Sequence, residues 1–294
     1  MSSTFPLGRH VNHDARSLAY PFTANDGTTL VSKRWERKVP VFDQGNLGSC
    51  TGNASTGCCG TEPYYDALPA GVVLDENTAI SVYSDATKID GAPGEYPPTD
   101  TGSDGVSVAK IVQQRGWISG YQHAFTLNDA LAAVSNHGPV IVGTNWYSGM
   151  FNPSLDGELV IHSGDTVAGG HEYILDEIDV PNQQVWMQNS WGTSWGLNGR
   201  AWMTWSTLQR LLSEQGDVTV FVPVNKPAPT PQPIPVPPAP VPPTPTPAPT
   251  PAPVVSDAAL WSAVSAWALR HHYNPTCKAV ANELVQWATS NGLH

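Results

Sequence analysis

The chain has 294 residues, enough for one large domain or two of ordinary size. Hydrophobic residues make up 40% of it and charged residues 13%, with 11 tryptophans, a balance that excludes wholesale disorder. The net charge of −11 speaks against nucleic-acid binding, which needs a basic face to neutralise phosphate.

Residues 1–30 lack the basic start and apolar run of a secretory signal, and no stretch approaches the roughly 18 apolar residues of a membrane span. The expectation is a soluble chain, cytoplasmic or virion-associated. Four cysteines are present, Cys50, Cys58, Cys59 and Cys277, with no CxxC pair and no zinc-like His/Cys spacing. Adjacent Cys58 and Cys59 cannot bond to each other without severe strain and read as small buried hydrophobes. No metal or organic cofactor is expected. Asp100 and Asp104 lack the spacing of a calcium loop, and the pair His271-His272 diverges on a helix.

In chain order, residues 1–34 form a leader, read either as a surface lead-in or as a short plug over a cleft, with Val11–Phe22 as the ordered-looking stretch. A helix starts near Cys50 although Gly52, Gly57 and Gly60 weaken it, each by about 1 kcal/mol relative to Ala. Val108, Ile111 and Val112 have helical spacing between Asp104 and Arg115, closed by Gly116. Thr126 and Asp129 resemble a capping box for a third helix, ended by Gly138-Pro139. Strand-like runs follow at Val140–Trp146, His171–Val180, Gln184–Ser190, Arg200–Trp205 and Asp217–Val222, with a turn at Pro181-Asn182. Helices first and antiparallel strands later predict an α+β domain over 35–225 with two facing subdomains.

Of 28 prolines, 15 fall in 227–253, so 226–254 reads as a polyproline II linker able to span roughly 80 Å. Residues 255–294 then predict a small helical hairpin. Ser256 caps a helix carrying Leu260, Trp261, Val264 and Trp267, and Asn274-Pro275 opens one carrying Val280, Leu284 and Trp287. Two uses are open for it: a passive tail, or a module docking a protein or cell-wall partner.

The chemistry gathers in two segments. Gln44-Gly45-Asn46-Leu47-Gly48-Ser49-Cys50 places a thiol at a Gly-rich entry to a helix, where the helix dipole favours thiolate. Gly169-Gly170-His171-Glu172 supplies an imidazole, and Asn189-Ser190-Trp191-Gly192 an amide beside an indole. An imidazole within reach of the thiol would form an ion pair, and an amide oxygen would orient the ring.

These motifs resemble those of the papain-like (C1 family) cysteine peptidases, in the propeptide-poor branch found in bacteria and their phages. The resemblance covers roughly residues 35–222, in the order Gln, Cys, His, Asn. It implies a fold with a helical left part and an antiparallel β right part. It implies Cys50 as nucleophile, His171 as general base and acid, Asn189 as its orienter, and Gln44 as the oxyanion-hole side chain. Trp191 would shield the His171–Asn189 bond from water. The gap of 121 residues between Cys50 and His171 is slightly short for the family. Substrate preference would be set by a second pocket touched by the Tyr96–Gly105 loop, with Tyr96, Gly102 and Gly170 as candidate substrate-binding residues.

The sequence departs from the family pattern at three places. Leu47 stands where secreted members carry a disulfide cysteine, and Thr51 replaces the aromatic that usually follows the nucleophile. Glu172 replaces a small residue; it either reaches the imidazole and raises its pKa, or points away. The implied activity is endopeptidase cleavage of a protein or peptide. Two rivals stand beside it: a lytic peptidase acting on peptidoglycan cross-bridges with the tail as wall anchor, and a virion or assembly scaffold built on the same fold.

Overall fold

A computed structural model describes residues 5–24, 27–232 and residue 286. The chain divides into two compact units, Met1–Ile234 and Pro235–His294. The expected hairpin at 255–294 and most of the Pro-rich segment lie outside the described residues. The start of that segment, 226–232, is laid against the first unit: the Gln232 N–H donates to the Ala19 carbonyl (2.7 Å).

The elements run in the order β1 (Lys33–Arg34), α1 (Cys50–Cys59), α2 (Tyr64–Ala67), α3 (Glu76–Thr87), α4 (Gly105–Gln114), β2 (Ile118–His123), α5 (Leu127–Asn136), β3 (Val140–Tyr147), β4 (Val167–Asp179), β5 (Gln184–Gln188), β6 (Arg200–Thr204), α6 (Trp205–Ser213) and β7 (Asp217–Pro223). Short 3-10 turns at Ala15–Ala19 and Ser148–Phe151 complete them. The strands join in one antiparallel sheet of order β2-β7-β3-β4-β5-β6, with β1 on β4. This is the α+β arrangement expected.

Side chains start the helices where the sequence places short polar residues. Asp75, Asp104, Thr126 and Thr204 each accept a backbone N–H three residues on, satisfying a donor that helix geometry leaves free. Thr204 ends one strand and caps α6, so Trp205 opens a helix and does not extend the strand. Helices α3 and α6 and strand β2 were not expected. The buried residues of α3 are small or β-branched (Ala79, Val82, Ala86, Thr87) apart from Tyr83, and β2 alternates only in part.

Two cores flank the sheet. One packs α1, α3 and α4 on Ile141, Ile174 and Phe221, and takes in Cys58 and Cys59, both buried and free. The other packs α5 and α6 on the opposite face, around Trp146, Trp191 and Trp195. Helix α1 is buried throughout, and Gly52 makes that possible: a Cβ there would lie 2.3 Å from the Ala79 carbonyl oxygen of α3. Helix α1 also packs on β4, the interior strand that carries His171.

Candidate active site

Cys50 is the first residue of α1 and is fully buried. The backbone N–H groups of Glu172, Gly8 and Thr51 lie near enough to its sulfur to favour the charged form, so the thiol lies close to the strand residue that follows His171. His171 sits in β4 opposite Thr144 of β3. Its Nε2 lies 2.8 Å from Asn189 Oδ1, which also accepts the Ser190 N–H at 2.8 Å. A backbone N–H can only donate, so the amide atom facing the ring is the oxygen, and Nε2 carries the proton. Nδ1 is left as the basic nitrogen, buried and without a partner.

Aromatic rings enclose this pair. Trp191 stacks on His171 (centroids 4.5 Å, planes 29° apart), and Trp146 meets the ring edge-on at 4.8 Å. Trp191 is 2% exposed and lies over the imidazole. Gln44 comes to the same place from the loop before α1. Its Oε1 accepts from Ser190 Oγ (2.6 Å), which fixes the amide so that Nε2 donates to the Leu47 carbonyl (2.8 Å) and points towards the Pro6 carbonyl (3.4 Å). The structure thus brings together Gln44, Cys50, His171, Asn189 and Trp191.

A segment of the chain itself occupies the groove between the two subdomains. The Arg9 N–H donates to the Gly170 carbonyl (3.0 Å) on one wall. On the other, Ser103 N–H donates to the Gly8 carbonyl (2.8 Å) and His10 N–H to the Ser103 carbonyl (2.7 Å), a parallel pairing. Phe5 stacks on Trp191 at 4.6 Å with planes 9° apart. Position 8 admits only glycine, because a Cβ would lie 1.9 Å from the Gly48 carbonyl oxygen. Within the leader, residues 5–10 make these contacts; in the Val11–Phe22 stretch Ala15–Ala19 form a 3-10 turn and Pro21 bridges His123.

Under this segment burial disfavours the charged form of both titrating groups. Burial pushes the Cys50 thiol up to about 12, and burial lowers His171 to about 4 in spite of its bond to Asn189. In the covered site, loss of hydration works against the charge that the helix end favours. Glu172 does not raise the imidazole pKa. It follows His171 in a strand, so its side chain leaves from the opposite face, towards Gly105, Gly143 and Arg9.

Gly102 and Gly170 border the covered groove. Tyr96 stands a layer behind, its ring 5.4 Å from Tyr83, whose hydroxyl accepts the Gly102 N–H (2.9 Å) and donates to Asp100 (2.5 Å). Asp100 in turn accepts the Gly48 N–H (2.7 Å), tying the loop to the nucleophile's loop. Sequence reasoning missed Ser190, Asp100, Tyr83, Trp146, Arg9 and Asp217. Only Ser190, inside the Asn-Ser-Trp-Gly run, carried a local signal. Among the described residues no group of three or more His, Cys, Asp or Glu could hold a metal ion, and no helix is long and apolar enough to cross a membrane.

Compared by sequence, the chain matches no family model and no curated protein. Compared by structure, it is similar to xylellain, a cysteine protease from Xylella fastidiosa, with TM-score 0.58 and 18% identity over 74% of this chain and 96% of that one. It is also similar to digestive procathepsin L 3 from the larval midgut of Tenebrio molitor, with TM-score 0.52 and 17% identity over 71% and 75% of the two chains. The fold is papain-like. The expected architecture of a helical part and an antiparallel β part is thereby established.

Proposed function

We propose that the protein is a cysteine endopeptidase held latent by its own residues 5–10. The observation that carries the reading is the Asn189–His171 bond, which leaves Nδ1 as the free basic nitrogen while the Cys50 thiol rests against the adjoining residue of the same strand. When the segment leaves, water re-enters, and both shifts that burial imposes on Cys50 and His171 relax towards the ion pair. The Cys50 proton passes to His171 Nδ1, and the thiolate attacks a peptide carbonyl carbon. Gln44 Nε2 and the Cys50 N–H donate to the oxyanion. His171 returns the proton to the leaving amine, and water, deprotonated by the ring, releases the acyl group from Cys50.

Latency is supported by anchorage as well as by cover. The segment is held by its backbone to Gly170 on one side and to Ser103 on the other, so leaving requires both pairings to break. Labelling with an epoxysuccinyl thiol inhibitor, mapped by mass spectrometry, tests the assignment. Modification of Cys50 that is faster in a chain lacking residues 1–10 is expected. Labelling at Cys58, Cys59 or Cys277 with Cys50 untouched would overturn it. Cleavage of denatured casein separates a general endopeptidase from a wall-directed lytic one, and unchanged biological performance of Cys50→Ala would favour a scaffold.

A further inference from the structure

Arg9 lies in the groove by its backbone but turns its side chain out of it, into a pocket one residue along β4 from His171. That side chain is 0% exposed. Its Nη2 donates to Asp217 and to the Gln215 carbonyl (2.8 Å), while Nε and Nη1 are buried without hydrogen-bond partners. Both carboxyl oxygens of fully buried Glu172 likewise lack a partner. The walls are glycines for a steric reason. A Cβ at Gly143 would lie 2.5 Å from Arg9 Nε and from Glu172 Oε2, and 3.1 Å from Asp217 Oδ2. At Gly105 it would lie 2.7 Å from Glu172 Oε1 and 3.2 Å from Asp217 Oδ1.

Two carboxyl groups converge on one space with Asp104 nearby; burial pushes both Glu172 and Asp217 towards the neutral form, and Arg9 acts against that shift on each. An apolar side chain would leave the fully buried Glu172 carboxyl without a cation or a donor, which is costly. A guanidinium suits the pocket better than an ammonium, because its flat spread of charge lets Nη2 donate to Asp217 and the Gln215 carbonyl while the same group still acts by charge on Glu172.

We infer that the Glu172–Asp217 pocket, walled by Gly105 and Gly143, selects a basic side chain, arginine above lysine, from the peptide substrate, and that Arg9 occupies it as a resident stand-in. The inference rests on the peptidase reading, and two measurements on the full-length chain keep the two apart. The first needs no catalysis: the rate at which iodoacetamide alkylates Cys50 reports how firmly residue 9 is seated. Arg9→Lys is expected to stay within about threefold of the unaltered protein and Arg9→Met to react at least about tenfold faster, the usual cost of leaving a charged partner unpaired. Arg9→Met no faster than Arg9→Lys overturns the inference.

The second uses Gly8→Ala, which cannot seat the segment, on a peptide library randomised on both sides of the cut. Arginine within two residues of the cut bond is expected to be favoured over leucine by at least about tenfold, with the ratio falling in Asp217→Asn and in Glu172→Gln. Cleavage that favours leucine, or ignores charge, overturns the pocket assignment and leaves the peptidase reading standing. No cleavage of any peptide by a chain whose Cys50 still alkylates overturns the peptidase reading, and the pocket assignment with it.

Discussion

Replacing Gly8 by Ala isolates the hold of the N-terminal segment on the groove. The added methyl would sit 1.9 Å from the Gly48 oxygen, 2.6 Å from its carbonyl carbon and 2.9 Å from its Cα, all backbone and unable to swing aside. The segment must therefore lift. It then gives up three backbone hydrogen bonds, from Arg9 to Gly170 and between Ser103 and Gly8 and His10. At about 1 kcal/mol net each, the loss is about 3 kcal/mol, before the Phe5–Trp191 stack is counted. Opening should become roughly 100-fold more populated, since each 1.4 kcal/mol is about a factor of ten. The assay is the alkylation rate of Cys50 at neutral pH, with buried Cys58 and Cys59 as internal references. An unchanged rate in a variant that melts at the unaltered temperature would refute the reasoning, because the methyl would then have been accommodated without moving the segment.

Further outcomes follow from the same geometry. In the Gly8→Ala background, His171→Ala should lower kcat/KM by about 10²–10⁴-fold and Gln44→Ala by about 10²–10³-fold on a peptide substrate, the ranges for a lost general base and a lost oxyanion donor. Comparable activity without either residue would place the chemistry elsewhere. The depressed His171 pKa makes the folded, covered chain bind fewer protons than the unfolded chain between pH 6.5 and about 4. The stabilisation from the neutral ring is thus complete above pH 6.5 and is lost as pH falls towards 4. Between pH 7 and 4.5 the unaltered protein should lose about 2–3 kcal/mol more than His171→Gln in urea unfolding. Equal losses would contradict the buried neutral ring. Gly52→Ala, favourable by about 1 kcal/mol on helix propensity alone, should instead destabilise by about 1–3 kcal/mol in thermal melts, because its methyl meets the Ala79 carbonyl of α3. A rise in melting temperature would show that α1 and α3 have room to part.

Much of the site was legible because its residues travel in short local motifs. Cys50 follows a Gly-rich turn, Asn189 opens an Asn-Ser-Trp-Gly run, and the strand-like runs from Val140 to Val222 carry the β-branched residues that a packed sheet requires. Helix starts at Asp104 and Thr126 were equally local, being set by one side chain and a donor three residues away. The glycines of α1 read against a helix only because propensity ignores what lies beside it. Gly52 is there for the carbonyl of another helix, and no window of sequence contains both. Helix α6 was lost for a similar reason: Thr204 serves the end of a strand and the start of a helix, and the run of apolar residues across it suggests one element.

That helices precede an antiparallel sheet, and that a thiol, an imidazole and two amides sit in short motifs, could be read from the order of side chains along the chain. Whether the site is open, and what charge it holds, could not. Those properties depend on Phe5, Leu7 and Arg9 lying against Trp191, Gly169 and Glu172, residues more than 150 positions away. A thiol at a helix terminus is ionised or neutral according to the water around it, and the acidity of a pocket depends on which carboxyl groups converge there. Hydration and convergence are set by surfaces that meet only when the chain has folded.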